Sequence, residues 1–177
     1  MFSVRRIRAD EGPVLRAVRL EALADAPGDA TTTLGRTQAL DDDHWISAAA
    51  ANASGGLQAT FFAEASPEVP DERLVESGSD RFVVGMVGAY ANRDGVVNVV
   101  GLWSAPGFRD IGVATALLGA TATWARGSGG TRLRMWVVER NEFARRFYES
   151  EGFVATGQAM AYELEPRIRQ VEMLLAL

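Results

Sequence analysis

Two apolar, β-branched runs, Phe82–Tyr90 and Val96–Ser104, flank the tetrapeptide Asn92-Arg93-Asp94-Gly95. Asp-Gly between two such runs is a strong hairpin signal, because a tight turn needs residues that tolerate positive φ. The pattern then changes. Gly112–Arg126 has helical spacing, with Val113, Ala116, Leu117, Ala120 and Trp124 as its apolar stripe, and Gly127-Ser128-Gly129-Gly130 closes it. A hairpin that feeds directly into a helix excludes an all-helical and an all-β chain. The class is α+β.

The flanking segments extend that reading. Residues 3–8 alternate apolar and basic as a half-buried strand does. Asp10 is placed to cap a helix through about Ala24, with Pro13 in its first turn and Val14, Leu15, Val18 and Leu23 as its stripe. Ala26-Pro27-Gly28-Asp29 breaks it. Asp41–Asp43 open a second helix, which ends near Asn52–Gly56. Leu57–Ala65 is a strand, and the polar, acidic stretch Ser66–Asp80 is a long hairpin loop, the segment expected to be disordered. Arg132–Val138 is a strand, Asn141–Glu151 a helix, and Phe153–Leu164 and Gln170–Ala176 are final strands around a turn at Pro166. The order is β-α-α-β-β-β-α-β-α-β-β.

Composition bounds the function. A chain of 177 residues, 47% hydrophobic and 23% charged, is expected to form one domain spanning residues 1–177. No apolar run approaches the roughly 20 residues of a membrane-spanning helix, and the N-terminus lacks a signal-peptide core. A cytoplasmic protein with no membrane partner is expected. There is no cysteine, which removes disulfides, thiolate metal sites and a cysteine nucleophile. The single histidine, His44, rules out a multi-histidine metal site and reads as a surface residue beside the Asp41–Asp43 cluster. All 18 basic residues are arginine, as a GC-rich, bacterial genome would favour. Residues 1–80 carry 7 Arg against 14 acidic residues, residues 81–177 carry 11 against 9, and the pI is near 5.0. That balance argues against a nucleic-acid partner bound through its phosphates.

Two constellations carry chemistry. The first is Leu102-Trp103-Ser104-Ala105-Pro106-Gly107-Phe108-Arg109-Asp110-Ile111-Gly112-Val113-Ala114-Thr115. A strand ends, and a loop opens through Gly112 into a helix whose first N–H groups and dipole suit a pyrophosphate. Gly112 and Ala114 keep the approach to the main chain open, Arg109 adds a positive charge, and Thr115 offers a hydroxyl. An ordinary strand-to-helix turn uses glycine in the same way. The second is Asn141-Glu142-Phe143-Ala144-Arg145-Arg146-Phe147-Tyr148-Glu149-Ser150-Glu151-Gly152-Phe153, in which Asn141 suits an N-cap and Ala144, Phe147 and Tyr148 share a helix face. Phe147 and Phe153 read as core, and a buried aromatic is the plain alternative for Tyr148.

Taken together, R-x-x-G-x-A before a helix, a strand, and then N-x-x-A-x-x-F-Y-x-x-x-G-F resemble the GNAT superfamily of acyl-CoA-dependent N-acetyltransferases over about residues 82–157. The resemblance implies a central, mostly antiparallel twisted sheet of about seven strands flanked by about four helices. It implies acetyl-CoA as the acyl donor, with Arg109, Asp110, Ile111, Gly112, Val113, Ala114 and Thr115 around the pyrophosphate of coenzyme A. Leu102, Trp103 and Ser104 would meet the pantetheine arm through main-chain groups, with Asn141 also on the arm. Tyr148 would protonate the departing thiolate, and a backbone N–H near Ser104 would polarise the thioester carbonyl. Asp110 departs from the family, where Gly, Lys or Arg is frequent at that position; use of its backbone N–H alone would reconcile it.

The expected reaction is direct transfer of the acetyl group to a primary amine, small or on a peptide or protein, in a ternary complex, because no cysteine is present to carry the acyl group. A general base is not assigned. Asn98 stands where several family members carry a glutamate, Glu21 and Glu139 are candidates through water, and each of the two also reads as a surface charge. A coenzyme A-binding regulatory module without catalysis is the second reading, kept open by Asp110 and Asn98. Transfer of a longer acyl group, or to an acceptor other than an amine, is the third. The apolar run Val171–Leu177 reads as an exposed edge strand, which would favour a homodimer.

Overall fold

Phe62 of the second strand has no exposed surface and pairs across the sheet with Arg5 on one side and Met86 on the other. Around it the chain builds one sheet carrying helices on both faces. The structure is a computed structural model, and it describes residues 1–25, 34–66, 73–78, 80–162 and 165–177. In chain order the elements are β1 (Phe2–Arg6), α1 (Gly12–Asp25), α2 (Leu34–Gln38), α3 (Asp42–Ala53), β2 (Gln58–Ala65), β3 (Val75–Gly78), β4 (Arg81–Ala91) and β5 (Val96–Ser104). A 3₁₀ turn at Pro106–Phe108 follows, then α4 (Val113–Gly127), β6 (Arg132–Val138), α5 (Glu142–Ser150), β7 (Val154–Tyr162) and β8 (Glu165–Ala176). The strand order is β1-β2-β4-β5-β6-β8-β7, with β3 added to β4. Every pairing is antiparallel except β5 with β6.

Local chemistry explains most boundaries. Asp41 caps α3 by accepting from the His44 N–H at 2.9 Å, and Asn141 caps α5 by accepting from the Ala144 N–H at 2.9 Å. The α1 cap differs from expectation. The Leu15 N–H closes the first turn on the Glu11 carbonyl at 2.8 Å, so Glu11 holds the cap position and the exposed Asp10 stands outside it. The expected break at residues 26–29 lies outside the described residues, as does much of the loop after β2. That loop nevertheless holds a strand, β3, and its disorder is not borne on by the described part. A short helix, α2, adds to the expected count.

Val84, Val87, Val97, Val99, Leu133 and Met135 face α4 and α5, where they meet Val113, Leu117, Tyr148 and Phe153. The opposite face packs α1 and α3 through Leu15, Val18, Trp45, Phe62, Met86 and Trp103. The buried stripe of α4 is rotated from the expected one: Leu118, Thr121, Ala122 and Ala125 are buried beside Val113 and Leu117, whereas Ala116, Ala120 and Trp124 are half-buried. Arg5 ties β1 to its surroundings, donating to Glu11 at 2.6 and 2.8 Å and pairing with Glu64, which also accepts from the Ser77 hydroxyl at 2.6 Å.

The C-terminal run is corrected by the topology. β8 lies between β6 and β7, so Val171–Leu177 is not an edge; β1 and β7 are the outer strands. The span expected as the last strand, Gln170–Ala176, is the part of β8 that pairs with β6. β8 itself begins earlier, at Glu165, and Pro166 is its second residue rather than the turn. A proline is tolerated at a strand's start, where its missing N–H costs least.

Candidate functional site

The site begins where two strands part. β5 and β6 pair in parallel only from Val96 with Arg132 to Asn98 with Arg134. Beyond that, β5 keeps β4 on one side and β6 keeps β8 on the other, but neither has the other. A wedge therefore opens along β5 from Val99 to Ser104, with one backbone edge lacking a strand partner. A bulge helps to turn the strand here. The register runs from Met86 opposite Trp103 to Gly88 opposite Val100, so β5 carries one residue more than β4. Gly101 stands in the bulge with φ +61°, a left-handed conformation that disfavours a side chain. Leu102 then packs toward α4, while Trp103 packs toward α1 and α3. The Ser104 hydroxyl is buried and has no hydrogen-bond partner among the described residues.

After β5 the chain makes its 3₁₀ turn and enters α4. Asp110 and Gly112 both have positive φ, 60° and 87°. Aspartate is among the few side-chain-bearing residues that visit this region readily, so Asp110 serves the turn and leaves its carboxylate in solvent. Gly112 is the N-cap of α4, and no side chain caps the helix. Its first turn holds no acid, and its first backbone bond runs from Ala116 N–H to Gly112 C=O at 3.0 Å. The N–H groups of Val113, Ala114 and Thr115 thus have no partner within the helix, and they add to the positive end of its dipole. A Cβ placed on Gly112 would meet nothing within 4 Å, so the approach is open. Ile111 is exposed, Ala114 half-buried and Val113 buried.

Two residues expected to meet the pyrophosphate have partners within the chain. Arg109 forms an ion pair with Asp25 and donates its Nε–H to the Ser104 carbonyl at 3.3 Å. The Thr115 hydroxyl donates to Glu151 Oε1 at 2.6 Å, joining the start of α4 to the end of α5. Asp25 also accepts from the Trp103 indole N–H at 2.9 Å. Asp25 lies outside both sequence constellations, and Glu151 stands at an unspecified position of the second.

Asn141 and Tyr148 come from α5. The Asn141 side-chain oxygen is committed to capping the helix. Tyr148 is 7% exposed, with its ring edge-on to Phe147 and Phe153 at 5.3 and 5.6 Å, and it shares the apolar cluster of Val113 and Val137. Burial pushes the pKa of its hydroxyl well above the ordinary tyrosine value, so the group holds its proton at every physiological pH.

The groups considered for proton removal are scattered. Glu21 lines a small cavity of about 40 Å³ with Trp103, Ala105 and Phe108. Glu139 is exposed, with Arg169 at 3.9 Å. Asn98 is buried, accepts from Arg134 Nε at 2.8 Å, and leaves its own amide nitrogen unpartnered. His44 is exposed on α3, edge-on to Trp45.

Comparison with known proteins agrees with the geometry. The family model described as the acetyltransferase (GNAT) family matches residues 37–153. A GNAT-family acetyltransferase from Streptococcus pneumoniae superposes with a TM-score of 0.76 at 21% identity, covering 100% of this chain and 99% of that one. A GCN5-related N-acetyltransferase from Kribbella flavida gives 0.70 at 20%, covering 99% and 98%. A Salmonella typhimurium protein solved with its cofactor acetyl-CoA gives 0.71 at 17%, covering 100% and 94%. At these identities the structures establish a shared fold. No curated protein matches the chain.

Proposed function

The chain belongs to the acetyltransferase (GNAT) family, and we propose that it transfers an acetyl group from acetyl-CoA directly to a primary amine within a ternary complex. The observation that carries this reading is the wedge between β5 and β6 leading to the uncapped N-terminus of α4. An extended arm with free hydrogen-bonding groups fits along the unpaired edge of β5, and a pyrophosphate fits the bare N–H groups. The Salmonella relative, solved with acetyl-CoA, supports the same donor. Bound there, acetyl-CoA supplies an activated acyl group on a thiol leaving group.

The chain's own residues then have these roles. Main-chain groups of Leu102, Trp103 and Ser104 hold the arm, and a backbone N–H near Ser104 polarises the thioester carbonyl. The loop and first turn from Arg109 through Asp110, Ile111, Gly112, Val113 and Ala114 to Thr115 bind the pyrophosphate through backbone N–H groups. Arg109 acts by fixing the loop to Asp25 and Ser104. Asn141 orients α5 beside the arm. Tyr148 keeps its proton and gives it from Oη to the departing thiolate. Glu21 of α1 lines the small cavity beside Trp103, and through it the amine's proton can leave by way of water. A cytoplasmic, single-domain protein is proposed, and a homodimer through β7, the outer strand that exposes Val154 and Met160.

Two measurements test this reading: calorimetric titration with coenzyme A, and thiol release from acetyl-CoA across polyamines, aminoglycosides, amino acids and peptides. Binding together with amine-dependent thiol release is expected. Binding without release on any acceptor would support a regulatory coenzyme A module instead, and absence of binding would refute both.

A further inference from the structure

Arg19, on α1, is set apart from the arginines around it. Arg5 has Glu11 and Glu64, Arg6 has three backbone carbonyls, Arg8 has Glu11 and Arg16 has Asp42. Arg19 has no carboxylate or carbonyl partner among the described residues, although it is half-buried. Its place is defined by the bulge in β5: a Cβ on Gly101 would lie 2.7 Å from Arg19 Nη1. The guanidinium therefore fills the space over Gly101 on the α1 face of the sheet. One residue further along the strand begins the segment Leu102–Ser104, to which the reacting end of the cofactor arm is assigned above.

A partly desolvated charge with no counter-charge is unfavourable, and an apolar side chain would fill the same space without that cost. Burial lowers the Arg19 pKa with no acid among the described residues to offset it, yet a guanidinium remains charged under ordinary conditions. The charge is thus available to an incoming anion. The phosphates of coenzyme A are assigned to the N-terminus of α4, on the other face of the sheet, and the pantetheine arm carries no anion. The remaining molecule that reaches the α1 face of β5 is the acceptor.

We propose that Arg19 recognises an anionic group, in the simplest case a carboxylate, carried by the acceptor amine, so that the substrate class is amino-acid-like rather than a simple amine or polyamine. This inference rests on the acetyltransferase reading above. A guanidinium opposite a carboxylate makes a charge-assisted, bidentate contact, and the planar fork holds the amine at a fixed distance from the thioester. Asn98, three residues before Gly101, points its side chain to the same face, opposite Val97 and Val99, and adds an unpartnered amide there.

The experiment uses matched acceptors: phenylalanine with phenethylamine, tyrosine with tyramine, lysine with cadaverine, and O-phosphoethanolamine with ethanolamine to distinguish carboxylate from phosphate. The member of a pair that carries the carboxylate or phosphate should exceed the partner that lacks it in kcat/KM by about 10–100-fold, mostly through KM, as one charged hydrogen-bonded contact predicts. Arg19→Met should collapse that ratio toward one, and Arg19→Lys should restore part of it. Coenzyme A affinity, measured on all three proteins, reports on the parent reading separately. If coenzyme A binds and the partners lacking the carboxylate or phosphate are used equally or better, or no acceptor carrying either group is used, the inference is overturned. An equal loss by Arg19→Met on both members of each pair also overturns it. Should Arg19→Met fail to fold, the wild-type ratio alone decides. Loss of coenzyme A binding by the wild type refutes the acetyltransferase reading instead.

Discussion

Replacing Tyr148 with phenylalanine removes one oxygen from a ring that is otherwise retained. The ring is 7% exposed and edge-on to Phe147 and Phe153, contacts that phenylalanine keeps. Burial alone, with no charge or hydrogen bond contributing, raises the hydroxyl's pKa, so deleting it breaks no ion pair. The stability change should therefore stay within about 1 kcal/mol, or about 4 °C in melting temperature for a chain of this size. Catalysis should respond differently. Loss of a general acid typically lowers the rate about 10²–10⁴-fold, which is about 2.7–5.5 kcal/mol of transition-state stabilisation. Thiol release from acetyl-CoA under saturating amine measures kcat, and calorimetry measures coenzyme A affinity, which should change little. The pH profile adds a second check. Because burial favours the neutral phenol, wild-type kcat should show no alkaline fall from Tyr148 ionisation up to the ordinary tyrosine value of 10.0. If Tyr148→Phe melts normally and keeps more than about a tenth of kcat, the hydroxyl is not the acid, and Tyr148 is a packing residue.

Three further outcomes are expected. Ala114→Leu puts a branched side chain at the second position of α4 and should weaken coenzyme A at least about 10-fold, read by calorimetry on a protein whose circular dichroism is unchanged. Burial pushes the Glu11 and Glu64 carboxyls up, but hydrogen bonds and charge from Arg5, with help from the Arg8 amide and from Ser77, hold both net below the ordinary carboxylate value. The stability they contribute is complete above that ordinary value, near 4.5, and is lost as pH falls through their depressed values. Glu64→Gln should cost about 1.5–3 kcal/mol in urea unfolding at pH 7 and much less at acid pH; an equal cost at both would show that the carboxylate's charge is not what matters. Light scattering at micromolar concentration should give the mass of two chains, with Met160→Lys on β7 shifting it toward one; a single-chain mass for the wild type ends the dimer proposal.

Much of the fold was legible because its signals are local. β5 was bounded to the residue by β-branched composition and the Asp-Gly turn, and the caps Asp41 and Asn141 were readable because N-capping spans only three residues. The misses came from information that is not local. α2 is five residues long, too short to show a period, and β3 is recognisable only by its pairing with β4. Val171–Leu177 looked like an edge because apolar composition does not say which neighbours a strand has; β8 proved to be interior. The same holds for the site. The glycine that opens α4 and the tyrosine of α5 belong to contiguous motifs. The Arg109–Asp25 pair spans 84 residues of sequence, and the Thr115–Glu151 bond spans 36, so no motif joins them. That Arg19 lacks a counter-charge among the described residues depends on everything around it and on no local motif.

The carboxylate of Asp25 links two events that the chain could have kept apart. It closes α1, the helix that carries Arg19, and it also holds the Trp103 indole and the Arg109 guanidinium. A shift of α1 on engaging an acceptor is therefore felt in the loop that leads to α4, and ordering of that loop is felt in α1. Thermodynamic linkage makes any such influence mutual: if the first ligand to bind tightens the second, the second tightens the first by the same factor. Removing this carboxylate would take away the contact that joins the end of α1 to Trp103 and to the loop before α4.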